Sequence, residues 1–84
     1  NLNGLSERVD KWLEERPKDA NLWLVASRLA QKDGLWSKAQ QCIERSIEIT
    51  PASETYTELA LILSELGEKE QASEALKLAR QTSG

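Results

Sequence analysis

Moved along itself by 33 residues, this chain of 84 meets its own likeness. Trp23 falls on Tyr56, Ala26 on Leu59, Ala30 on Leu63 and Gly34 on Gly67; further on, Ala39 falls on Ala72, Ile43 on Leu76 and Ser46 on Ala79. Each pair is aromatic with aromatic, small with small, or apolar with apolar. Pro17 and Pro51 stand 34 apart, so the units differ by one residue in Ala52-Ser53-Glu54-Thr55, a loop or helix start that absorbs the difference. A chain this short has little apolar surface of its own to bury, and stacked units solve that problem by sharing a core.

Inside each unit the apolar residues recur every three or four places, which is the spacing of a helix face. Trp23, Ala26 and Ala30 make one stripe, and Ala39, Ile43, Ser46 and Ile47 a second. Tyr56, Leu59, Leu63 and then Ala72, Leu76, Ala79 repeat both. Gly34 and Gly67 stand where a helix ends in a left-handed residue. Pro51 closes the helix before it, and Asp19 and Ser53 are expected N-caps. Leu5, Val9 and Trp12 lie at the offsets from Pro17 that Ala39, Ile43 and Ser46 hold from Pro51, so the first residues read as the second half of a unit. The spacing predicts an all-α chain of five helices near 4–15, 20–33, 36–49, 54–66 and 69–81. Loops of two to five residues make neighbours antiparallel. Residues 1–84 are then one domain: a half repeat over 5–17, one repeat over 20–51 and a second over 54–81.

Several functions are excluded by what the chain lacks. The formal net charge is −3, without the basic concentration that nucleic acid calls for. There is no His and one Cys, Cys42, so neither a zinc site of the usual kind nor a Ser–His or Cys–His nucleophile pair can be built. Glu44 and Glu48 lie one helical turn apart on an outer face, with no cleft between them for paired-acid catalysis. Gly34 and Gly67 stand alone and form no phosphate loop. The expectation is no catalytic residue, no metal and no cofactor. No apolar run reaches the roughly 20 residues that cross a bilayer. A start at Asn1 and the absence of Met predict a soluble piece of a longer chain.

A helix pair with an aromatic at position four, Gly at fifteen, Ala at twenty and Pro at thirty-two resembles the tetratricopeptide repeat. Counted from Ala20, these are Trp23, Gly34, Ala39 and Pro51, with small Ser46 at twenty-seven. The second unit supplies Tyr56, Leu59, Ala60, Gly67, Ala72 and Ala79. Small residues at eight, twenty and twenty-seven let the helices of a pair approach closely. The resemblance implies helical hairpins stacked as a short right-handed solenoid. More narrowly, Leu35-Trp36-Ser37-Lys38-Ala39, Pro51, Tyr56-Thr57-Glu58-Leu59-Ala60 and Leu66-Gly67-Glu68 look like the C-terminal repeats of HemY-type proteins. That likeness implies a scaffold for haem-biosynthesis enzymes, with the parent protein anchored in the bacterial inner membrane. Direct haem binding is not expected. Without His or Met the remaining axial ligands are Cys42 and Tyr56, the first an ordinary packing residue and the second in a core position.

In this repeat family ligands lie in the concave groove lined by the first helix of each pair. Carried over, the groove positions are Asn21, Leu24, Arg28, Gln31 and Lys32 in the first unit, and Glu54, Thr57, Leu61, Ser64 and Glu65 in the second. Leu24 and Leu61 lie off the core stripe, and beside Arg28 and Lys32 they suit a peptide with apolar and acidic groups. A clamp for a terminal carboxylate, as in chaperone-binding members, is not expected, because Leu24, Arg28, Thr57 and Leu61 replace its Lys and Asn. Trp12 and Trp23 are expected in the core, and Trp36 between units. The alternative reading is a self-association module forming a weak homodimer, in which Ala75, Leu76 and Leu78 of the last helix meet another copy.

Overall fold

The computed structural model describes residues 2–82, with side chains from residue 4 onward. Five helices follow one another: α1 (Leu2–Glu15), α2 (Ala20–Lys32), α3 (Trp36–Ile49), α4 (Ser53–Glu65) and α5 (Lys69–Gln81). Among the described residues there is no strand. α2 with α3 and α4 with α5 form the two closely packed hairpins. α4 packs on the first hairpin and α1 lies against α2, so the chain is a short helical-repeat solenoid. No described helix is long and apolar enough to cross a membrane.

The helix ends follow from local chemistry. Asp19 caps α2, its carboxylate accepting the Leu22 N–H at 3.1 Å. At the end of α2, Gly34 takes φ +74°; its N–H donates to the Gln31 carbonyl at 3.0 Å, and Leu35 N–H to the Ala30 carbonyl at 2.8 Å. Gly67 does the same for α4 at φ +81°, with Gly67 N–H on Ser64 and Glu68 N–H on Leu63. Both are Schellman closures, which satisfy carbonyls that a helix end leaves open. One expected cap is corrected. Ala52, not Ser53, holds the N-cap of α4, and Ser53 is already helical. Ala52 is the residue 33 beyond Asp19, so the repeat register fixes the slot even where its side chain cannot cap.

Three apolar clusters hold the stack. Val9 and Leu13 of α1 meet Ala26 and Cys42, with Leu22, Trp23 and Leu29 packed around them. Leu24, Ala30, Ala39, Ile43 and Ile62 join α2, α3 and α4, with Trp36 and Leu59 against them. Ala60, Leu63, Ala72 and Ala75 close α4 on α5. Small residues let the hairpin helices approach, and two of them also bond across the gap. Ser27 Oγ donates to the Ala39 carbonyl and Ser46 Oγ to the Ala20 carbonyl, each at 2.9 Å. Among the described residues no buried side-chain nitrogen or oxygen lacks a partner.

The expectation for Trp12 is corrected. It is 44% exposed, and Leu5 one face-repeat earlier is exposed too. In α3 the matching Ala39 and Ser46 pack on α2, the first helix of their own pair. Among the described residues no helix precedes α1 to cover that face. Trp23 is half-buried, and Trp36 packs where the hairpins meet.

Candidate functional site

α2 and α4 are the first helices of the two pairs, and side chains bridge them directly. Arg28 reaches from α2 to Glu54 at 3.0 Å and Glu58 at 3.6 Å on α4. Gln31, one turn beyond Arg28, donates to Glu58 Oε1 at 2.8 Å. The pairing follows from the stack: α4 lies on the first hairpin, so residues a turn apart on α2 oppose residues a turn apart on α4. Exposed pairs of this kind each contribute about 0–1 kcal/mol, and their main effect is to set which groups the face presents.

The predicted groove residues fall into three sets. Arg28 and Gln31 come together with Glu54. Asn21, Lys32, Ser64 and Glu65 are exposed, and Thr57 is exposed with its hydroxyl donating to the Ser53 carbonyl at 2.8 Å. Leu61 is 53% exposed. Leu24 is the correction. It is only 7% exposed, because α4 seats on the α2–α3 pair and encloses it with Ile43 and Ile62. Glu58 is the residue the carry-over passed by. Its signal was present in the spacing, four residues after Glu54 and so one turn along the same face.

Two consequences bear on what this face can bind. Arg28 is engaged by two carboxylates, so its charge is largely balanced, and Lys32, the other cation of the predicted groove, forms no ion pair among the described residues. The apolar contribution passes from Leu24 to Leu61. Leu61 lines a shallow cleft of about 440 Å³ with Leu76, Ala72, Thr57 and Ser64 at the α4–α5 end of the stack. Leu76 and Leu78 therefore do not share a face, for Leu78 lines a different cleft with Leu59 and Leu63.

The outer surface is formed by α1, α3 and α5. Between α1 and α3 opens a cleft of about 580 Å³, with Leu13, Trp23 and Cys42 in its lining. The Trp23 indole N–H donates to the Pro17 carbonyl at 2.8 Å, which fixes the ring. Arg45 stands over that ring at 5.7 Å, a cation–π arrangement. Burial pushes the Cys42 thiol above its ordinary value of 9.0; Lys38 nearby opposes that shift and Asp10 adds to it. A buried, protonated thiol is a packing group rather than a nucleophile. Among the described residues no group of three or more His, Cys, Asp or Glu could hold a metal ion.

Compared with known families, residues 53–79, which are α4 with most of α5, match the tetratricopeptide repeat. No curated protein matches the chain. Repeats of this kind generally mediate protein–protein interaction.

Proposed function

We propose that the chain is a non-catalytic interaction scaffold that takes a peptide segment of a protein partner across the α2–α4 face. The observation that carries this reading is the position of Leu61, a large apolar side chain left half in solvent one turn along α4 from Glu58 of the Arg28–Glu54–Glu58 cluster. An apolar anchor next to ordered polar groups gives affinity and orientation together. Asn21, Gln31 and Lys32 on α2, with Thr57, Ser64 and Glu65 on α4, supply the polar rim. The partner segment carries an apolar side chain for Leu61 and an acidic group for Lys32. The likeness to HemY-type repeats supports a partner among haem-biosynthesis enzymes at the bacterial inner membrane, and that part rests on sequence alone.

The test is selection from a displayed library of acidic amphipathic peptides on the wild-type chain, followed by the double variant Leu61→Glu, Lys32→Glu. Both positions are exposed, so helicity should be unchanged while binding falls at least about tenfold, the loss of one apolar anchor and one charge contact. Binding kept by the variant would contradict the reading. A second reading, self-association, is favoured by the apolar pair Leu61 and Leu76 at the α4–α5 end. Sedimentation should then show a concentration-dependent dimer that Leu76→Glu dissociates, and a monomer at about millimolar concentration would refute it.

A further inference from the structure

Among the described residues two clefts open on the outer surface, and part of their lining is related by the 33-residue repeat: Lys38, Gln41, Cys42 and Arg45 in the first correspond to Gln71, Glu74, Ala75 and Leu78 in the second. The first, between α1 and α3, is floored by Leu13, Trp23 and Cys42. The second, between α3 and α5, is floored by Leu59, Leu63 and Leu78 and has a volume of about 370 Å³. Glu44 on α3 lines both. Each is apolar at the bottom and charged at the rim.

The rim charges do not balance. Asp10 is paired with Lys38 at 3.6 Å, Glu48 with Arg45 at 3.0 Å and Glu74 with Lys77 at 3.7 Å. With those three pairs set aside, Glu14, Glu44 and Glu70 remain among the lining residues, one on each of α1, α3 and α5. Glu44 accepts a hydrogen bond from Gln40 at 3.1 Å, which leaves its charge uncompensated. Three carboxylates thus run across two apolar clefts.

We propose that this outer surface is a second docking site, separate from the α2–α4 face, for a cationic amphipathic peptide segment of a protein partner. Two apolar side chains of the segment enter the two clefts, and its Lys or Arg groups face Glu14, Glu44 and Glu70. The chain already shows one half of this chemistry. The Arg45 guanidinium lies over Trp23 at the first cleft, so that ring accepts a cation while its floor stays apolar. Charge complementarity also sets the kinetics: attraction between a cationic segment and exposed carboxylates speeds encounter and weakens with salt.

The probe is a synthetic amphipathic peptide of Leu and Lys, beside a counterpart in which every Lys is replaced by Glu. Each is titrated into the isotope-labelled chain and followed by amide chemical shifts. The Lys peptide should bind saturably, moving the amides of α1, α3 and α5 near the two clefts. Its affinity should fall about tenfold between 50 mM and 300 mM salt, as expected for exposed charges, and the Glu peptide should leave the amides of α1, α3 and α5 unmoved. The triple variant Glu14→Gln, Glu44→Gln, Glu70→Gln should weaken the Lys peptide at least about tenfold, whereas Leu61→Glu should leave it unchanged. Shifts that map to α2 and α4, an affinity the triple variant does not change, or no saturation would each overturn the proposal. Because the variants of the two sites are separate, failure here leaves the α2–α4 reading standing, and the reverse.

Discussion

Leu24 and Leu61 look alike in the sequence, each an apolar residue off the helix stripe, and they differ in what covers them. The α4 helix encloses Leu24, while Leu61 faces outward. Leu24→Ala should therefore cost about 2–5 kcal/mol, the range for a truncated core leucine, and Leu61→Ala should stay within about 0.5 kcal/mol, as for an exposed site. Urea denaturation followed by circular dichroism measures both. A small loss at Leu24 would mean that α4 is not seated as described. Cys42 offers a pH signature. Its thiol is held above 9.0 by burial, so the folded chain keeps a proton that the unfolded chain releases first. The stabilisation is fully present below pH 9 and is lost as pH rises past it. Unfolding free energy should decline above about pH 9 in the wild type, and Cys42→Ala should remove that part of the decline.

At the scale of the element, helix ends and helix centres were legible for different reasons. Gly34 and Gly67 marked their helices because only a residue without Cβ takes positive φ cheaply, and both do so here. Gly34→Ala and Gly67→Ala should each lower stability by about 1–2 kcal/mol, the cost of a left-handed Ala, visible as a lower melting temperature. Ser53 was misread because Ser is a good cap wherever it stands, whereas the repeat register assigns the slot to Ala52. Trp12 was misread because periodicity tells which face a residue shares and not whether a neighbour covers it. The same fact predicts dynamics. α1 buries Val9 and Leu13 while Leu5 and Trp12 stay exposed, so α1 should open sub-globally before α3. Hydrogen exchange should show α1 amides losing protection well ahead of those around Ile43, and equal protection would refute this order.

Across the whole molecule, the stack separates two surfaces that the linear sequence interleaves. One is the α2–α4 face with its Arg28 clasp and Leu61; the other is the outer face of α1, α3 and α5. The 33-residue repeat made the hairpins and their order readable, because the shared core requires matching residues at matching places. Pairing across repeats was less readable. Arg28 meets Glu54 and Glu58 through the packing of α4 on the first hairpin, and in the second unit Leu61 stands at the place of Arg28 and Ser64 at that of Gln31. Repetition therefore predicts the frame and not the departures from it, and the departures make the candidate site. The most direct measurement is an amide chemical-shift titration of the labelled chain with an acidic amphipathic peptide selected on it. The account predicts shifts at Asn21, Arg28, Gln31, Lys32, Thr57, Leu61 and Ser64. Shifts confined to α1, α3 and α5, with the α2–α4 face unmoved, would contradict it.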